Sequence, residues 1–155
     1  MTIDPIEQII IDALSKPLNH PLVEKCVALL DKYQTVEIPG TDTIKFYTVP
    51  LNMALFFDEQ DILIKVEILT HSPTPLAILN DLLRQYADKQ QIYQRLGEPR
   101  VKQPGILAYD LKTYWMRFEL EAENTQKIIY LALSTVGKGY LNQDIILRTC
   151  KSSKH

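Results

Sequence analysis

Glycine, cysteine and histidine are scarce in this sequence, and their scarcity excludes several kinds of site. The 155 residues include 5 glycines, 2 cysteines and 3 histidines. Cys26 and Cys150 belong to no Cys-x-x-Cys pair, and His20, His71 and His155 are not spaced like the ligands of a metal site. We therefore predict two reduced thiols, no metal and no other cofactor.

The short motifs that identify many enzymes are also missing. No GxGxxG, GxSxG or HExxH pattern occurs, and residues 136–140 (VGKGY) lack the earlier glycine and the Ser or Thr of a Walker loop. We predict a turn at 136–140 and a protein that is not an enzyme. The alternative is an enzyme that uses His71 as a base, or Glu119 with Glu121 as a carboxylate pair, because active sites assemble in space rather than in sequence.

Long apolar runs and an excess of basic charge are absent as well. No stretch approaches the ~18 apolar residues of a membrane helix, and the first ten residues carry Asp4 and Glu7 where a secretory signal would be basic. The formal net charge is −2, so the basic excess that is typical of a phosphate-binding protein is lacking. We expect a cytoplasmic protein that neither enters a membrane nor binds nucleic acid directly.

The residues that are present predict one α+β domain. Apolar residues make up 46% of the chain and charged residues 23%, as in an average globular protein. We predict a single domain over residues 1–150 and a disordered tail at 151–155 (KSSKH). Asp4 and Pro5 predict the start of a first helix, a second follows near Leu22, and a third begins at Pro75 and runs on toward Leu96.

Apolar and polar residues alternate in two further regions, which predicts an antiparallel sheet with the helices packed on one face. The first region gives strands at 44–49, 53–57 and 62–69, with Ile62, Ile64, Val66 and Ile68 on one side. The second gives strands at 106–110, 114–120 and 127–133, and a last short strand is predicted at 145–147.

An internal repeat links the two regions. The pattern V-x-x-P-G begins at Val36 and again at Val101, 65 positions later, and the same order of strands follows each. The sequence therefore indicates a duplicated unit of a helix and three strands, with pseudo-repeats at 22–70 and 76–134. The alternative is two unrelated three-stranded meanders.

Charged residues cluster at the two predicted hairpin turns, and we select a set of candidate partner-binding residues from them. If the halves are arranged alike, two acidic rims project from the same sheet toward a basic partner. The alternative is that both turns are merely solvated. The candidates are Asp58, Glu59, Asp61, Trp115, Arg117, Glu119, Glu121 and Glu123.

Trp115 is the one aromatic candidate in this set. It shares a strand face with Arg117 and Glu119, opposite the apolar residues at 116, 118 and 120. An aromatic side chain beside charges is typical of an interface anchor. The alternative is a core tryptophan that another part of the chain covers.

Several short segments follow one another in a characteristic order between residues 44 and 133: Phe46-Tyr47, Leu55-Phe56-Phe57, Pro75, Leu96-Gly97-Glu98-Pro99, Tyr109-Asp110 and residues 116–120. This order of elements resembles the small immunity proteins of bacterial polymorphic toxin systems, including those of contact-dependent growth inhibition. The resemblance implies a cytoplasmic protein that binds one toxin domain and blocks its active site, often by covering the basic site of a nuclease with an acidic surface. The modest net charge of this chain departs from that pattern.

Two binding functions therefore remain open from the sequence. An immunity protein would occlude a toxin domain with the polar face and turns of its sheet. A secretion chaperone or adaptor would instead hold an extended protein segment along its surface and would be expected to dimerise.

Overall fold

The computed structural model describes residues 3–38, 44–74, 76–122 and 126–135, and in this part of the chain eight strands and four helices form an α+β fold. The helices are α1 (Pro5–Ala13), α2 (Pro21–Ala28), α3 (Asn80–Gln85) and α4 (Lys89–Leu96). The strands are β1 (Gln34–Ile38), β2 (Ile44–Val49), β3 (Met53–Phe57), β4 (Leu63–Leu69), β5 (Val101–Gln103), β6 (Ile106–Asp110), β7 (Tyr114–Leu120) and β8 (Ile128–Thr135). The predicted fold class is confirmed.

The first two helices begin where side chains can cap them. An Asp4 carboxylate oxygen accepts hydrogen bonds from the backbone N–H groups of Ile6 at 2.8 Å and Glu7 at 3.3 Å. His20 caps α2, since its Nδ1 accepts from the N–H of Leu22 at 3.1 Å. Each cap is followed by a proline at the first helical position, where no N–H is needed.

The prediction of one long third helix is wrong. A 3₁₀ turn at Ala77–Leu79 precedes α3, and the chain becomes extended at Asp88 before α4 begins. The Asp88 carboxylate caps α4 by accepting from the N–H of Gln91 at 2.9 Å. The backbone around this break pairs with the start of β8, since the N–H of Lys89 donates to the carbonyl of Gln126 at 2.9 Å. Helical periodicity alone did not show this break, because apolar residues on both sides face the same core.

The strands form a single sheet in the order β1-β2-β3-β4-β8-β7-β6-β5, and every neighbouring pair is antiparallel. Each half of the chain is therefore a four-stranded meander, and β4 and β8 join the halves at the centre. The predicted three-stranded unit is one strand too small. The additional strand of each half contains the start of the V-x-x-P-G pattern. Val36 lies in β1 and Val101 lies in β5.

The pairing of β4 with β8 has the symmetry that a 65-residue repeat requires. Glu67 pairs with Ala132, its own equivalent 65 positions later. On either side of this pair, Lys65 pairs with Ser134 and Leu69 pairs with Tyr130. Tyr130 is the equivalent of Lys65 in the repeat and Ser134 is the equivalent of Leu69, so the repeat relates one pair to the other. A pseudo-twofold axis thus passes through the sheet between Glu67 and Ala132.

A bulge recurs at the same place in both halves. The partner of β3 jumps from Lys65 to Leu63, which leaves Ile64 without an opposite residue. The partner of β7 jumps from Tyr130 to Ile128, which leaves Ile129 in the equivalent place. The bulge turns Ile64 to the face opposite Leu63, Val66 and Ile68. The prediction that Ile64 shares a face with Val66 and Ile68 is therefore wrong.

The helices cover one face of the sheet, as predicted, and enclose the main core. This core joins buried residues of the helices, such as Ile10, Cys26 and Leu82, to alternate residues of the strands, such as Leu55 and Phe118. The opposite side is called the helix-free face below, because no helix of the described segments packs against it. It carries a smaller apolar cluster of Phe46, Ala54, Phe56, Ile64, Tyr130 and Ala132.

No helix in the described segments is long and apolar enough to cross a membrane. The predictions for the turn at 136–140, the strand at 145–147, the tail at 151–155, Cys150, His155 and the candidate Glu123 lie outside the described residues.

Candidate functional site

Asp58 and Glu59 differ sharply in environment, although both lie in the turn between β3 and β4. Asp58 is buried, and its carboxylate accepts hydrogen bonds from the backbone N–H groups of Gln60 at 2.9 Å and Ile62 at 3.0 Å. Glu59 is exposed. Asp58 therefore holds the turn in shape, whereas Glu59 is available to a partner.

Asp61 is anchored to the neighbouring strand and to the loop between the first two helices. Its carboxylate lies 2.8 Å from the Lys45 ammonium, and this hydrogen bond raises the pKa of Lys45. Its backbone carbonyl accepts from the N–H of Leu18 at 2.8 Å. The residue adopts a φ of 61°, a left-handed conformation that aspartate tolerates in turns. Most of this acidic turn thus has a structural role.

The two acidic turns lie at opposite ends of the sheet. The turn with Asp58 leads into β4 at Leu63, whereas the turn with Glu121 leads into β8, whose start lies beside the end of β4. The length of β4, 7 residues, separates the turns by on the order of 20 Å. The prediction that the turns could form one acidic surface is wrong, because a pseudo-twofold axis perpendicular to the sheet places equivalent turns at opposite ends.

Trp115, Arg117 and Glu119, called the β7 stripe below, do lie together as predicted. They point to the helix-free face, since Met116, Phe118 and Leu120 between them are buried in the main core. All three are intermediate in exposure. Arg117 and Glu119 form an ion pair at 3.0 Å, with 18% of each side chain exposed. Glu121 continues past the end of β7 and lies 3.6 Å from the Lys127 ammonium.

A buried polar network lies beside the β7 stripe, at the pseudo-twofold axis. One oxygen of the Glu67 carboxylate accepts from the Lys65 ammonium at 2.9 Å and from the Tyr130 hydroxyl at 2.8 Å. Lys65 and Tyr130 are equivalent positions of the repeat, so both halves contribute a donor to one carboxylate. None of the three residues is more than 2% exposed. Burial and the Glu67 charge raise the pKa of Tyr130.

Aromatic rings connect this network to its surroundings. The Lys65 ammonium lies 4.7 Å from the centre of the Phe56 ring, and the Arg117 guanidinium lies 5.7 Å from the centre of the Tyr130 ring. Arg117 thus bridges the buried network and the β7 stripe. The sequence indicated Lys65 and Glu67 only as the polar side of a strand, because the partner residue Tyr130 follows 63 positions later.

A second buried carboxylate lies on the helix side, where the two helical pairs meet. The Glu7 carboxylate of α1 interacts electrostatically with Tyr86 and Arg95, and the Tyr86 hydroxyl accepts a hydrogen bond from the Arg95 side chain at 3.0 Å. Burial raises the pKa of Glu7, and burial together with the Glu7 carboxylate raises the pKa of Tyr86. This contact joins the helices of both halves and is inside the fold, so we assign it a structural role.

Among the described residues, the remaining candidates do not assemble into a recognisable catalytic centre. In the described segments no group of three or more His, Cys, Asp or Glu side chains is placed to hold a metal ion. Cys26 is buried, and this burial raises the pKa of its thiol to about 12. His71 is exposed and borders a shallow depression of about 490 Å³ with Asn80 and Arg84.

Comparisons with known proteins give no match: no protein-family model, no curated protein and no solved structure is similar to this chain.

Proposed function

We propose that this protein is a cytoplasmic immunity protein that binds a cognate bacterial toxin domain through the β7 stripe and blocks its active site. The observation that carries this proposal is the placement of Trp115 beside the Arg117–Glu119 ion pair on the helix-free face. Tryptophan and arginine are the residue types that most often dominate the energy of protein–protein interfaces.

The stripe is pre-organised for binding. Its strand is hydrogen-bonded on both sides, by β6 and by β8, so the backbone beneath Trp115 and Arg117 has little freedom to lose. Arg117 is held further by Glu119 and by the Tyr130 ring. A surface that is ordered before association loses less conformational entropy when the partner arrives, which favours tight binding.

The charged side chains in and beside the β7 stripe are paired with one another. Arg117 pairs with Glu119, and Glu121 lies next to Lys127, so the stripe carries no strong excess of either sign. Recognition would then depend on the tryptophan and on directed hydrogen bonds rather than on a broad acidic patch. The partner need not be a nuclease, and the separate turn with Glu59 would be outside the contact.

The alternative function is a chaperone or adaptor that binds an extended segment. The observation that favours it is the open edge of β1, a strand of 5 residues that pairs only with β2 in the described sheet. An extended peptide can add to such an edge. This alternative predicts capture of a secreted substrate without neutralisation, and a dimer in solution.

The test is capture of the partner from the native host with the tagged chain as bait, followed by co-expression of the captured protein with and without it. The immunity function predicts that a toxin domain is recovered and that its lethality is abolished by the chain. Recovery of a protein whose activity is unaffected would refute the proposal.

Two variants test whether the partner binds through the β7 stripe. Trp115→Ala should weaken the complex by about 2 kcal/mol or more, which is roughly thirtyfold in affinity, and should reduce protection accordingly. Ile78→Ala is the matched control, because Ile78 is an exposed apolar side chain, 46% accessible, in the 3₁₀ turn. Equal losses in both variants would place the contact elsewhere.

A further inference from the structure

A depression with a cationic rim and an apolar floor lies at the β5 edge of the sheet, on the helix side. Its volume is about 410 Å³. Leu107 and Leu120, both buried core residues, form its floor together with Pro104 and Gly105. The rim is formed by Lys89, Lys102 and Gln103.

Two lysines at this rim are arranged around one aromatic ring. Lys89 and Tyr93 lie one turn apart on α4, and Lys102 approaches from β5, where it stands opposite Leu107. Each ammonium lies 5.8 Å from the centre of the Tyr93 ring. Cation–π contacts of this kind orient an ammonium without neutralising it.

Neither of these two lysines has a carboxylate partner in the described segments, in contrast to three other lysines of the chain. Lys45, Lys65 and Lys127 each lie within 4.0 Å of an acidic side chain. Within the described segments neither Lys89 nor Lys102 forms such a pair. Two positive charges therefore stand beside an apolar depression, and no carboxylate of the described segments pairs with them.

The backbone next to the depression is open. β5 is the last strand of the sheet, and in the described sheet its only neighbour is β6. An edge strand offers unpaired N–H and C=O groups to a further strand. Lys102 lies in the middle of β5, so a strand added there would pass close to its ammonium.

We propose that this edge is a docking surface for an acidic, extended segment of a protein partner. The segment would pair with β5, place a carboxylate between Lys89 and Lys102, and insert an apolar side chain over Leu107 and Leu120. The surface lies on the helix side and uses none of the residues of the β7 stripe. This proposal can therefore be tested independently of the proposed immunity function.

The test uses a blocked, fluorescein-labelled heptapeptide that carries valine, glutamate, valine and glutamate at its odd positions, which share one strand face, and threonine at its even positions. The comparison peptide has glutamine in place of glutamate. Fluorescence anisotropy should show saturable binding of the glutamate peptide to the full-length protein and much weaker binding of the glutamine peptide. The Lys89→Gln/Lys102→Gln double variant should bind the glutamate peptide about tenfold more weakly or worse. Amide chemical shifts should change at Lys102, Gly105 and Leu107.

The matched control is the Lys25→Gln/Lys32→Gln double variant, which removes two exposed lysines elsewhere and should bind like the wild type. Equal binding of the glutamine peptide, or shift changes confined to other residues, would overturn the proposal. Tighter binding of a labelled single-stranded oligonucleotide at the same residues would also overturn it, because the ligand would then be a phosphate backbone. Loss of peptide binding in Trp115→Ala would show instead that the β7 stripe binds the segment.

Discussion

Glu67 is the residue on which the two halves of the molecule converge. It occupies the pseudo-twofold axis, where the other half has Ala132, and it accepts hydrogen bonds from equivalent positions of both halves. A carboxylate this deeply buried is tolerated only when it is well paired, because removal from water is costly for a charge. One acidic residue at the axis thus satisfies a lysine and a tyrosine that the repeat brings to it.

Replacing Glu67 with glutamine should therefore destabilise the fold strongly. The substitution keeps the shape but removes the charge that neutralises the buried Lys65 ammonium, and breaking such a pair costs about 3–5 kcal/mol. Glu121→Gln is the matched control, since its ion pair with Lys127 is exposed to solvent and should cost about 1 kcal/mol or less. Urea unfolding followed by circular dichroism measures both. Equal losses would mean that the central carboxylate has no special role.

Glu7 should make stability depend on pH in the direction opposite to an ordinary surface carboxylate. Burial raises its pKa above the ordinary value of 4.5, so the folded state binds the proton more tightly than the unfolded state. The stabilising contribution is complete below pH 4.5 and is lost as the pH rises through the raised pKa. The free energy of unfolding of the wild type should therefore fall, relative to Glu7→Gln, as the pH rises from about 4.5. Parallel curves for the two proteins in urea titrations between pH 4 and pH 8 would contradict this assignment.

At the scale of elements, capping and alternation predicted the positions of α1, α2 and most strands correctly. The β5 strand was missed because only 3 residues pair there, too few to show a period of two. The split between α3 and α4 was missed because the pairing of the Asp88 segment with Lys127 is a tertiary contact. The faces of β4 were misjudged at Ile64 because a bulge shifts the alternation by one residue.

The turn between β3 and β4 provides a test within one element. Asp58→Ala removes the acceptor of two backbone N–H groups and should destabilise the protein by about 1–3 kcal/mol. Glu59→Ala, its immediate neighbour, should change stability by less than about 0.5 kcal/mol, because the side chain is exposed. Thermal unfolding of the two variants gives the comparison. A neutral Asp58→Ala would show that the turn needs no side-chain acceptor.

At the scale of the whole molecule, the 65-residue period was visible in the sequence, but its consequence for the surface was not. Alternation placed Trp115, Arg117 and Glu119 on one face of a strand, and they do share a face. Whether the acidic turns converge depends on how the two halves join. The β4–β8 pairing decides this, since antiparallel pairing about a perpendicular axis sends equivalent turns to opposite ends. The alternation of residues within one strand contains no information about how the two halves of the sheet join.

The described part of the molecule thus has one side that is covered by helices and one face that its helices leave uncovered, on which Trp115 lies beside the Arg117–Glu119 ion pair. The chain contains a single tryptophan, so one spectroscopic probe reports on the proposed contact. The decisive measurement is the ¹⁹F NMR spectrum of the protein labelled with 5-fluorotryptophan, recorded alone and with its unlabelled captured partner. Binding through the β7 stripe predicts that the single resonance shifts or broadens as the complex forms, because the indole leaves water. An unchanged resonance in a fully formed complex would contradict the account.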